Sequence, residues 1–228
     1  MSSHAHAFSD PDMVSRYTDE PPRRVPGYHA MHQMAAILLA ENAPPDARVL
    51  VLGAGGGLEL KTFAEANPGW SLDGVDPSAE MLKLAAKTLG PLTSRVRFIN
   101  GVIDDVSDGP FDAATSILTL HFLDAEERLR TATEVHRRLK PGASFVVAHF
   151  SVPHDTAEEG ERWLSRYVEF CVASGISRTD AETARAAIDE QVPILTPDQD
   201  SEILRKAGFT DITEFYTAFT FRGWVAYA

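Results

Sequence analysis

The amino-acid sequence predicts an α/β protein with a doubly wound, seven-stranded, mostly parallel sheet. Three observations carry this expectation. Short, nearly all-apolar runs recur along residues 48–150, as strands buried on both faces of a parallel sheet require. Segments with helical spacing separate them. A helix with strong end signals then leads into two closing strands at 210–228.

Each element has its own signal. "RVLVLG" (48–53) is the first strand, and "LELKTFAEAN" (58–67) spaces Leu58, Phe63 and Ala66 along a helix ended by Pro68-Gly69. "WSLDGVD" (70–76) is the second strand. "PSAEMLKLAAKTLG" (77–90) follows as a helix with proline at its first position and glycine at its end. "RVRFING" (95–101) and "FDAATSILTLHF" (111–122) give the third and fourth strands. "DAEERLRTATEVHRRLK" (124–140) is an amphipathic helix with Asp124 as its cap, and "PGASFVVAHF" (141–150) is a turn and the fifth strand.

Residues 157–190 read as two helices, with Trp163, Leu164, Tyr167 and Phe170 packed on one face of the first. "LTPDQDSEILRKAGF" (195–209) has Thr196 as cap, Pro197 next, Gln199 closing a capping box and Gly208 as the stop. No linker divides the chain. The expectation is one domain over 1–228: an N-terminal helical lid (1–44), a ligand-binding core (45–150), a helical insertion (151–195) before the last two strands, and a closing helix and strands (196–228).

With 21 Lys and Arg against 33 Asp and Glu, the formal charge of −12 argues against direct binding to nucleic acid or anionic lipid. A single cysteine, Cys171, permits neither an internal disulfide nor a multi-cysteine metal site. The first residues lack a basic start and an apolar core, and no apolar run approaches a membrane span. A cytoplasmic location is expected. No metal-ligand spacing is present, so no metal is expected. The lid and the final strands could support a homodimer.

"RVLVLGAGGGLEL" (48–60) places glycine at 53, 55, 56 and 57, where a strand turns into a helix. Such a corner allows close backbone approach to a ligand. A phosphate-binding P-loop needs Gly-Lys-Ser/Thr at its end, but Leu58-Glu59 follows. A dinucleotide fingerprint needs a third glycine where Leu58 stands. S-adenosylmethionine fits better: the corner runs Gly53-x-Gly55-x-Gly57, and Asp76, ending the next strand, can accept ribose hydroxyls. Asp76 can also cap the helix behind it.

The blocks "VLVLGAGGG", "LDGVDPSAEMLKLA", "VRFINGVIDD", "GPFDAATSILTLHFL" and "RRLKPGASFVVAHF", in this order, resemble the class I S-adenosylmethionine-dependent methyltransferases over about residues 45–150. That resemblance implies a Rossmann-like core. It implies Gly53, Ala54 and Gly55 against the methionine part of the cofactor, Asp76 on the ribose, Pro77 and Met81 flanking adenine, and Ile103 with Val102 or Asp104 at its edge. Where the family usually has Gly-Asp after the third strand, this chain has Gly101-Val102.

A narrower resemblance runs almost end to end. "FSDPDMVSRYTDEPPRRVPGYHAMHQM" and "LRKAGFTDITEFYTAFTFRGWVA" resemble the carboxy-S-adenosylmethionine synthase family and nearby methyltransferases. That family uses prephenate and serves tRNA wobble-uridine modification. The match implies cofactor contact by Tyr28 and by the position of Ile117, and a carboxylate clamp at Arg185. The synthases carry asparagine at the positions of Pro77 and Ile117 and Gly-Asp at 101–102, so the expected activity is methyl transfer by in-line displacement to a small-molecule acceptor. A carboxylate-bearing acceptor is one form of it, and the synthase reaction is the alternative. His121 and His149 are candidate general bases, although "LTLHFL" equally fits a packed histidine at 121. Tyr17, Tyr28, His32, His149 and Arg185 are the candidate acceptor contacts.

Overall fold

A computed structural model describes residues 19–107 and 109–228; Tyr17 lies outside them. Among these residues, two helices come first, α1 (Pro21–Arg24) and α2 (Tyr28–Ala40). Then β1 (Arg48–Leu52), α3 (Leu58–Ala66), β2 (Ser71–Asp76), α4 (Ala79–Leu89), β3 (Val96–Asn100) and β4 (Phe111–Ile117) alternate. After them come α5 (Ala125–Arg138), β5 (Leu139–Phe150), α6 (Ala157–Ala173), α7 (Arg178–Gln191), α8 (Pro197–Lys206), β6 (Thr210–Ala218) and β7 (Phe221–Tyr227).

The seven strands form one sheet in the order β3-β2-β1-β4-β5-β7-β6. All pairings from β3 through β5 are parallel, and β7 runs antiparallel to both neighbours. The order reverses between β1 and β4, and ligands of open α/β sheets bind at the carboxyl ends of strands flanking such a switch point.

Apolar side chains cover both faces, which is why the strands read as continuous apolar runs. On one face, Met31 and Leu39 of α2, Leu60 and Phe63 of α3, Leu82 of α4 and Leu164 and Tyr167 of α6 form one core. On the other, Val135 of α5 and Ile203 and Leu204 of α8 pack on Leu50, Phe145 and Trp224. The lid and the insertion therefore share one face and one core. Burial pushes the Tyr167 hydroxyl of α6 up to about 12, with Arg24 of α1 working the other way, and the Tyr216 hydroxyl donates to the Pro26 carbonyl.

Among the boundaries that differ from the sequence expectation, two lie beside the site. The fourth strand ends at Ile117, not Phe122: Leu118 takes a left-handed φ of 57° and residues Leu120–Phe122 make a 3₁₀ turn. Helix α4 starts at Ala79, with Ser78 accepting from the Met81 amide at 3.2 Å, so Pro77 sits in the turn before it. The capping box at α8 forms as read, Thr196 and Gln199 each bonding the other's backbone amide.

Candidate active site

The glycine corner is built by hydrogen bonds to the neighbouring strand. The amides of Gly53 and Ala54 donate to the Val75 carbonyl at 2.8 and 2.9 Å. The Asp76 carboxylate accepts from the Gly55 amide through Oδ2 and from the Ser78 amide through Oδ1, both at 2.9 Å. Asp76 thus joins the corner to the end of β2, while Ser78 takes the helix-capping role. Burial raises the Asp76 pKa, and the bonds from Ser78 and Gly55 oppose that rise. Each carboxylate oxygen retains a lone pair for a further donor.

Two of the glycines answer to the protein's own packing. A Cβ on Gly53, whose φ is +83°, would lie 1.9 Å from Thr119 Oγ1, and one on Gly57, also at +83°, would lie 2.7 Å from the Ala85 Cα. Gly53→Ala is therefore expected to destabilise the fold by about 1–3 kcal/mol through strain and overpacking, visible in the urea midpoint.

Above the corner, α2 supplies a wall. Tyr28, His32, Gly53, Ala54, Gly57, Glu59, Ile117 and Leu118 line one small chamber. The Tyr28 and His32 rings meet at 4.3 Å between centroids. Burial, helped by His29, pushes His32 down to about 4, so it is neutral at physiological pH. Tyr28, Gly53, Ala54 and Ile117, named from sequence, are thus brought together. Met81 is buried beside the Asp76 turn, whereas Pro77 and Val102 are exposed at the same edge of the sheet.

Other candidates lie elsewhere. Ile103 is buried, and both oxygens of Asp104 accept from Arg130 of α5 at 3.0 Å. The carboxylate that turns back over the loop is Asp105, which accepts from the Val102 amide at 2.8 Å. Arg185 is bound by both oxygens of Glu161, at 2.6 and 2.5 Å, with Glu182 at 3.6 Å, and does not line the chamber.

The two histidines separate. His121 sits in the 3₁₀ turn beyond β4, not at a strand end, and its Nδ1 accepts from the Phe150 amide at 3.4 Å. In the neutral ring that bond leaves the proton on Nε2. His149 points to the opposite face, with Nε2 3.2 Å from Asp200 Oδ1 and its ring 5.5 Å from that of Trp224. Arg128 also donates to Asp200 Oδ1 and, through Nη2, to the carbonyls of Leu123 and Pro193 at 3.1 and 3.2 Å. Burial works to raise the Asp200 pKa, but His149, Arg128 and Ser151 overcome it and hold the carboxyl below its ordinary value. This geometry makes His149 part of a buried polar anchor tying α5 and α8 to β5.

Sequence reasoning missed three contributors. Glu59 is buried under the corner, its Oε1 accepting from the Thr115 hydroxyl at 3.0 Å. Asn100 donates to the carbonyls of Asp76 and Pro77 at 3.1 and 2.9 Å, bracing the turn that carries the acid. Leu118 adopts a left-handed φ that side chains rarely take.

Comparison with known proteins shows what the chain around this corner is similar to. Residues 49–142, from β1 through the turn of β5, match the model described as "Methyltransferase domain". Over those residues the chain is similar to methyltransferase domains. Relatives of this chain include a protein named carboxy-S-adenosyl-L-methionine synthase from Chromohalobacter salexigens. It is 29% identical over 223 residues, which cover 96% of this chain and 82% of the relative. The protein of the same name from Staphylococcus epidermidis is 25% identical, covering 96% and 95%. Among solved structures, an O-methyltransferase family protein from Burkholderia thailandensis superposes with a TM-score of 0.69 at 16% identity, over 96% of this chain and 61% of that one. Human N-acetylserotonin methyltransferase, solved in complex with SAM, gives 0.60 at 17%, over 99% and 62%. The chain thus spans about three fifths of the length of those two structures and shares their fold. No helix among the described residues is long and apolar enough to cross a membrane.

Proposed function

We propose that the protein moves the methyl group of S-adenosylmethionine to a small-molecule acceptor by in-line displacement. The observation that carries this is the corner itself: Asp76, pinned to the amides of Gly55 and Ser78, offers its remaining lone pairs to ribose hydroxyls. Gly53, Ala54 and Ile117 form the adjoining floor and Tyr28 the roof. Pro77 and Met81, with Val102 and Ile103, would take the adenine. Bound there, S-adenosylmethionine would supply an electrophilic methyl group with a neutral thioether as leaving group. The chain's own contribution is alignment and exclusion of water, through the α2 wall and the helices packed on it.

Tyr28 and His32 are the acceptor contacts with the best placement, and His32, uncharged, offers one ring nitrogen as hydrogen-bond acceptor. His121 would present Nε2–H and so serve as a donor before it could serve as a base. A carboxylate-bearing acceptor would have to draw Arg185 away from Glu161. If it does, Arg185→Ala raises the acceptor KM roughly tenfold and leaves the cofactor Kd unchanged; equal losses in both would remove Arg185 from acceptor handling.

The synthase reaction is the second reading, favoured by the near-full-length match to proteins of that name. Apolar Ile117 and Val102, where the synthases carry polar residues, favour methyl transfer. Mass spectrometry after incubation with S-adenosylmethionine and a panel of phenol, thiol, amine and carboxylate acceptors tests the first reading, and addition of prephenate tests the second. A methylated acceptor supports methyl transfer; a carboxylated nucleoside formed only with prephenate supports the synthase.

A further inference from the structure

Glu59 stands where a closed apolar wall would be the cheaper solution. It lies in the first turn of α3 and is only 6% exposed. Its Oε1 accepts from the Thr115 hydroxyl of β4, and Thr115 in turn sits opposite Val51 of β1. Among the described residues no Lys or Arg forms an ion pair with it. A carboxyl sealed away without a counter-charge is costly, and is kept only neutral or paired. The chamber it lines holds about 20 Å³, room for one water-sized polar group. That is the size of an ammonium group. The wall adjoins Gly53 and Ala54, the floor assigned above to the methionine end of the cofactor.

We infer that Glu59 receives the amino group of the S-adenosyl ligand, and that it gives up its own proton as that ammonium seats. This rests on S-adenosylmethionine occupying the corner. The O–H bond of the Glu59 carboxyl breaks, its electron pair stays on the carboxylate oxygen, and the proton passes to solvent; the ligand ammonium keeps its protons. The resulting pair is charge-assisted.

The electrostatics of the chamber agree. Burial pushes Glu59 from 4.5 up to about 8, with the Thr115 hydrogen bond working the other way. The titratable groups sharing its chamber are Tyr28 and His32 of α2, and His32 is neutral at pH 7. From β4 comes the Thr115 hydroxyl, and α4 meets the corner with Ala85. No resident cation competes for the acid within this set.

Isothermal titration at pH 7 in two buffers of different ionisation enthalpy counts the protons released. The wild-type protein should release close to one per S-adenosylmethionine bound, and Glu59→Gln none. The variant should bind S-adenosylmethionine roughly 10- to 100-fold more weakly at pH 8. It should bind 5′-methylthioadenosine, which lacks the amino-acid end, as the wild type does. Folding has its own readout. Because the folded-state pKa of Glu59 is raised, its stabilising effect is complete below 4.5 and is lost as pH rises through about 8. The ligand-free variant should therefore melt higher than the wild type at pH 8. Equal proton release by the two proteins, or equal affinity for S-adenosylmethionine, would overturn the assignment. If neither protein bound S-adenosylmethionine or methylthioadenosine, the cofactor reading itself would fail; binding of methylthioadenosine with unchanged proton counts would overturn the Glu59 role alone.

Discussion

Replacement of Asp200 by alanine is expected to cost about 3–5 kcal/mol of stability, lowering the melting temperature by roughly 10 °C. Asp200 is 2% exposed and accepts from Arg128, itself 1% exposed, with His149 at 3.2 Å on the same oxygen. Removing the carboxylate strands a guanidinium under the sheet. The two carbonyls that Arg128 also reaches, those of Leu123 and Pro193, cannot neutralise it. Asp200→Asn, which keeps the volume and one acceptor, should lose less than the alanine. Chemical denaturation at neutral pH measures both. His149→Gln separates this anchoring role from catalysis: it should lower the denaturation midpoint while leaving the cofactor Kd within about twofold. A turnover number that collapsed in a variant of unchanged stability would instead return His149 to the chemistry.

The second large effect falls on the cofactor. Asp76→Ala removes the proposed ribose acceptor and the two hydrogen bonds that hold the corner to β2 and α4. Lost charge-assisted bonds of about 1.5–3 kcal/mol correspond to roughly a 10- to 100-fold rise in the cofactor Kd. Asp76→Asn can still accept one backbone bond, so it should retain more of the fold than of the affinity. Titration of each variant with S-adenosylmethionine, beside its melting curve, tells lost binding from lost structure.

The parts of this molecule that depend on local sequence were legible. Buried parallel strands produce apolar runs, and the pattern at 48–53 fell on β1 within a residue. The Thr196–Gln199 box and the Asp124 cap are both made by neighbours in the chain, and both form. The corner and its acid were legible because glycine and a strand-end carboxylate are local signals.

What escaped depends on contacts distant in sequence. Glu59 looks like an ordinary charged residue in the first turn of a helix; only the packing of α3 on Thr115 buries it. His149 follows an apolar strand on which both faces are covered, so alternation could not say which face it joins, and Asp200 of α8 decides that. The end of β4 was misjudged because "LTLHF" stays apolar through a left-handed residue and a 3₁₀ turn. Arg185 was assigned from the family match alone, and its partners Glu161 and Glu182 lie on the insertion helices themselves.

Calorimetric titration of the purified protein with S-adenosylmethionine and, separately, with NADH bears most directly on the glycine corner and Asp76. Saturable binding of S-adenosylmethionine at one site per chain, weakened by Asp76→Ala, with no saturable NADH binding, is the expected result. Tighter binding of NADH, or S-adenosylmethionine affinity indifferent to Asp76, would contradict it.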